Sequence, residues 1–185
     1  MTDSLAERWQ RLRRTLPASS RLLAVSKGHP AESIRVLAGF GQVAFGESRL
    51  QEALPKLEQL SDLALQWHFI GRLQSNKVRA VVKAFAVIHS VDSLLLAQRV
   101  SRIAAEEGCC PEVLLQVKLR EDPNKGGLSA EDLQRNWSGL LQLPALRISG
   151  LMTMAPQGLA PKERRQLFSD CRQLADQLGL VECSM

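Results

Sequence analysis

Tyrosine is absent from this 185-residue sequence, and aromatic residues make up only 4% of it. Its densest basic stretch, residues 8–14, holds a single ring, Trp9, rather than the series of rings on which single-stranded nucleic acid stacks. The four cysteines form no C-x-x-C pair, and adjacent Cys109 and Cys110 suit neither a metal site nor an easy disulfide. Reduced, structural thiols are expected, with Cys171 on a helical stripe shared with Leu167, Leu174 and Leu178. The three histidines, His29, His68 and His89, show no H-E-x-x-H or comparable spacing, so no bound metal is expected. His68 and His89 lie inside apolar segments and read as core histidines. No apolar run approaches the roughly 20 residues of a membrane span. Residues 1–10 are polar and charged, unlike a secretory signal, which points to a cytoplasmic protein with no membrane partner. A G-x-G-x-x-G loop and a G-x-S-x-G elbow are both missing, and Gly71 to Lys77 lacks the second glycine and the Ser/Thr of a P-loop.

What is present is ordinary globular composition, 45% hydrophobic and 23% charged, in a length that suits one domain over residues 1–185. The formal net charge is +5. The densest basic cluster, Arg8, Arg11, Arg13 and Arg14, falls on one amphipathic helix and reads as a solvated face rather than a nucleic-acid footprint.

Ser4 and Glu7 have capping-box spacing ahead of Leu5, Trp9, Leu12 and Leu16, which predicts a first helix. Short apolar runs then alternate with amphipathic stretches, the signature of βα units and a parallel sheet. Strands are predicted at residues 22–25, 43–45, 67–70, 84–91, 113–117 and 146–152, with a seventh opening at 181–185. Between them, Pro30 suits a first helical turn and Gly39 a helix end. Pro55 should kink or restart its helix, Asp92 can cap the next, Ser129 and Asp132 open another, and Pro161 starts the last. Residues 121–127 carry strong turn chemistry. An eight-stranded barrel needs about 250 residues, so either the chain is cut short or the sheet is open and ends there; a barrel cut short in or after its seventh strand is the expectation.

Lys27 falls where the first strand should end, between Ser26 and Gly28. Ligands of parallel α/β folds bind outside the carboxyl ends of strands, and a lysine there can form a Schiff base if its amine is desolvated. Gly28 would let the backbone turn sharply beside it. By position alone a solvated loop lysine is the commoner outcome. Other polar residues also fall at strand ends: Glu47 and Ser48, residues 72–76, Ser90, and Met152 to Met154.

Taken in order, Leu23-Ala-Val-Ser-Lys27, Phe45-Gly-Glu-Ser48 with Gln51-Glu-Ala53, and Trp67-His-Phe-Ile-Gly71 with Leu73-Gln-Ser-Asn-Lys77 form a series. Ile88-His-Ser-Val-Asp-Ser93 and Gly150-Leu-Met-Thr153 continue it. The series closely resembles the YggS/PROSC family of pyridoxal phosphate (PLP) homeostasis proteins. That resemblance implies an α/β fold, a TIM-type (β/α)8 barrel like the N-terminal domain of alanine racemase, with PLP on Lys27. It implies Ser48, Ser90 and Met152 as further cofactor contacts, Ser48 standing where the family usually has asparagine. It also implies a role in vitamin B6 and amino-acid homeostasis without turnover, and a monomer whose partner is the small molecule. The chain stops at Ser184-Met185, the start of a family motif that continues Gly-Met-Ser; the phosphate cradle beyond it would be missing.

Three alternatives stay open. The same lysine could serve an amino-acid racemase, or a Schiff-base aldolase without PLP. The positive charge leaves a nucleic-acid or regulatory module as a third, with no reader motif behind it.

Overall fold

A computed structural model describes residues 4–122 and 125–185. The turn expected at 121–127 lies partly outside them, at Pro123 and Asn124, as do the first three residues. The chain divides into two compact units, Met1–Ile70 and Gly71–Met185.

In the first unit, α1 (Leu5–Thr15) opens on the expected capping box. The Glu7 carboxylate accepts from the Ser4 amide at 2.7 Å, and Ser4 Oγ accepts from the Glu7 amide at 3.2 Å. The Arg8, Arg11, Arg13 and Arg14 face is exposed. Three short strands follow, β1 (Ala24–Val25), β2 (Ala44–Glu47) and β3 (Gln66–Phe69), paired in parallel in chain order. Two helices connect them, α2 (Ala31–Gly39) and α3 (Leu50–Gln59). Strand β1 is shorter than predicted because a side chain distant in sequence intervenes. Buried Gln42 donates its side-chain amide to the Leu22 carbonyl at 2.8 Å and to that of Ala44 at 2.7 Å. A side chain thus occupies an acceptor that a ladder would have used. Pro30 caps α2 from outside rather than entering its first turn. Pro55 sits inside α3 without ending it; Pro55 and Gln51 are both exposed, so water can replace the donor the ring removes. Phe45 and Trp67 pack in the core with ring centroids 6.0 Å apart.

The second unit runs from a 3-10 turn (Ser75–Lys77) through α4 (Val78–Ala84), β4 (Val87–Val91), α5 (Leu94–Glu106), β5 (Glu112–Gln116) and α6 (Ala130–Leu141). It ends with β6 (Arg147–Met152), α7 (Pro161–Gln177) and β7 (Glu182–Ser184). Strands β4 to β7 pair in parallel in chain order. Ala84 belongs to α4 rather than to the strand, because the Phe85 amide still bonds back to Val81 at 2.9 Å. Ser93, not Asp92, caps α5, accepting from the Leu96 amide. Ser129 caps α6 and Pro161 opens α7 as expected. All five residues of β4 are buried, as a strand covered on both faces should be. Leu167, Cys171 and Leu174 are buried along α7 and the four thiols are free. A hydrogen bond to Cys183, with burial, keeps the Cys171 thiol protonated far above its usual range.

Candidate functional site

The turn after β1 is built from the backbone outward. The Ser26 carbonyl accepts from the His29 amide at 3.0 Å, closing a four-residue turn with Lys27 and Gly28 at its centre. Gly28 has φ of +74°, and no residue other than glycine has positive φ among the described residues. That combination is a type II turn, with Lys27 at its second position and the obligatory glycine at its third. The local sequence folds this way because only glycine takes that φ without strain.

Beneath the turn is a buried polar cluster. Ser26 is 5% exposed and Glu47, the last residue of β2, is fully buried. Ser26 Oγ donates to Glu47 Oε1 at 2.7 Å. Lys56, on α3, donates through Nζ to the same Oε1 at 2.7 Å and to the Ser26 carbonyl at 2.9 Å. Glu47 Oε2 is buried without a hydrogen-bond partner. Lys27 itself is exposed, so the chain does not supply the desolvation that a strand-end lysine was expected to need. Ser48 is half-buried directly after β2.

Sequence reasoning placed Glu47 among the polar strand ends and missed Lys56. Its one signal is its place beside the inward stripe of α3, where Leu50 and Ala53 are buried. A lysine bordering such a stripe usually extends its tip to water. Here the tip turns inward because a carboxylate waits for it.

In the second unit, Ser90 lies in β4, 2% exposed, and its hydroxyl has no hydrogen-bond partner. Two other buried polar side chains of this unit are paired: His89 Nδ1 lies 2.9 Å from Ser184 Oγ, and Thr153 Oγ1 donates to the Val117 carbonyl at 3.1 Å. The His89–Ser184 contact joins the first and last strands of a four-strand run, so this sheet curls toward its own inner face. Met152 ends β6 and packs in the core with Val87 and Leu114. Lys27 and Ser48 thus belong to one unit, and Ser90 and Met152 to the other. No cluster of three or more metal-ligating side chains occurs among the described residues.

The exposed, turn-mounted Lys27 amine suits a ligand that brings a carbonyl carbon, as the aldehyde of PLP does.

Comparison with known proteins follows the same line. Residues 1–185 match the family described as alanine racemase, N-terminal domain. A pyridoxal phosphate homeostasis protein of Synechocystis sp. is 47% identical over 178 residues, covering 92% of this chain and 82% of that protein. The structure of PipY from Synechococcus elongatus superposes with a TM-score of 0.96 without PLP, at 48% identity, covering 98% of this chain and 88% of that one. With PLP bound, the same protein gives 0.93 at 46% identity with the same coverage. An alanine racemase from Clostridium difficile 630 shares the fold at a TM-score of 0.79 and 18% identity, over 97% of this chain and 49% of that one.

Proposed function

The chain belongs to the alanine racemase N-terminal domain family, and on that premise we propose that it binds pyridoxal 5′-phosphate through a Schiff base to Lys27 and serves vitamin B6 and amino-acid homeostasis. The observation that carries this is the type II turn presenting Lys27 at the end of β1, in a chain 46% identical to a protein solved with PLP bound. When bound, PLP supplies an aldehyde whose oxygen leaves as water when an amine takes its place, and a ring that withdraws electrons.

The chain's own residues do the rest. Lys27 offers the amine from a turn of set geometry. Ser48 stands at the neighbouring strand end and is a further cofactor contact in this reading, as are Ser90 and Met152. The protein works without turnover. Proton transfer at a reacting carbon needs acids and bases on both faces of the ring. Lys27 serves one face, and this tyrosine-free sequence offers no evident partner for the other.

We further read the protein as a cytoplasmic monomer, one domain over 1–185, with no nucleic-acid or membrane partner. No helix among the described residues is long and apolar enough to cross a membrane. A single cooperative unfolding transition, a monomer mass in sedimentation, and no salt-sensitive gel shift are the expected results.

The decisive experiment is intact mass after incubation with PLP, before and after borohydride. The expected result is one reduced pyridoxyl adduct, mapped to Lys27 and lost in Lys27→Ala. An adduct of unchanged amount in Lys27→Ala would overturn the assignment. Steady formation of D-alanine from L-alanine would overturn the absence of turnover.

A further inference from the structure

A buried ion pair beside an exposed lysine asks for a physical reason. Lys56 and Glu47 side chains are 12% and 0% exposed. Taking both charges out of water costs more than their attraction reliably returns, and apolar residues of similar volume often do as well or better for stability. Stability alone therefore explains this pair poorly. Its additional contacts are more informative. Glu47 Oε1 accepts from the Ser26 hydroxyl as well as from Lys56, and Lys56 Nζ also donates to the Ser26 carbonyl. That carbonyl is the one that closes the Lys27 turn by accepting from the His29 amide. The Ser26 amide is tied in turn to the Gly46 carbonyl at 3.0 Å. Ser26 is thus held through its amide, hydroxyl and carbonyl, one residue before Lys27.

We infer that Lys56 and Glu47 are positioning residues for Lys27, locking the type II turn so that its amine is presented in one direction. The inference rests on the Lys27 assignment above and deepens it. The lysine side chain is flexible, so the direction in which it starts is decided by its backbone. Fixing that start leaves fewer unproductive orientations for the amine to sample before it meets a carbonyl carbon. The arrangement also separates two amines at the same strand end. The Lys56 amine is buried and committed to two acceptors, while that of Lys27 is exposed.

The test uses the full chain with PLP as the probe. Three quantities are followed: the rate of absorbance growth on attachment, the site of borohydride trapping, and amide exchange at residues 27–29. In Lys56→Met with Glu47→Gln, no buried charge is left alone, so the thermal midpoint should stay near wild type. The clamp on the Ser26 carbonyl is gone, however. Attachment should slow roughly tenfold or more, and the His29 amide should lose protection. A double variant that folds and attaches PLP at the wild-type rate would overturn the inference. If that variant does not fold, wild-type exchange decides: a His29 amide as unprotected as a free loop amide also overturns it, and a protected one supports it. An adduct mapping away from Lys27 in wild type defeats the Lys27 assignment and this inference together. An adduct on Lys27 with unaffected variants defeats only this inference.

Discussion

The two units finish their strands in opposite electrostatic states. In the first, Ser26, Glu47 and Lys56 satisfy one another and one backbone carbonyl, leaving only Glu47 Oε2 without a partner. In the second, the Ser90 hydroxyl is fully buried with none, although His89 and Thr153 on nearby strand ends are paired. A buried hydroxyl left unsatisfied costs about 1–3 kcal/mol. The first arrangement pairs every group but one carboxylate oxygen and bears directly on a backbone turn. The second is incomplete and gains when a polar atom arrives.

Breaking the closed side should have the largest effect. Lys56→Met leaves the buried Glu47 carboxylate without its cation, an expected loss of about 3–5 kcal/mol in urea unfolding. Adding Glu47→Gln should recover most of it. Next comes Gly150→Ala in the second unit, where a Cβ would collide with the Glu182 carbonyl across the β6–β7 pairing. Backbone cannot yield as a side-chain tip can, so about 1–3 kcal/mol is expected, read from the same unfolding curves. Gly28→Ala meets no neighbour, and its cost is conformational only, about 1–2 kcal/mol for positive φ. Ser90→Ala sharpens the contrast from the open side. Removing a partnerless hydroxyl should leave the cofactor-free protein unchanged or more stable by about 1 kcal/mol, while its PLP content after gel filtration falls. A marked loss of stability there would show that the hydroxyl is already satisfied.

Several local features were legible in the sequence because short-range chemistry governs them. The Ser4–Glu7 capping box, the Ser129 cap and Pro161 at the start of α7 depend on residues within one helical turn. The βα alternation gave the strand count and the parallel order within each unit for the same reason. Errors came where a distant group intervened. Gln42 shortened β1 by taking the Leu22 carbonyl, and α4 kept Ala84 from β4. Of the candidate site, Lys27 and Ser48 were legible from motif and strand-end position. Lys56 was not, because nothing local distinguishes an inward-turned lysine from one that reaches water.

The sequence by itself determined that a lysine and a glycine follow the first strand, and with them the possibility of a type II turn, since φ preference is a property of single residues. Only the tertiary structure decided that this turn stands on a buried Glu47–Lys56 pair while Lys27 stays exposed. Which lysine is buried depends on a helix returning across two paired strand ends, and no residue's own chemistry specifies that encounter.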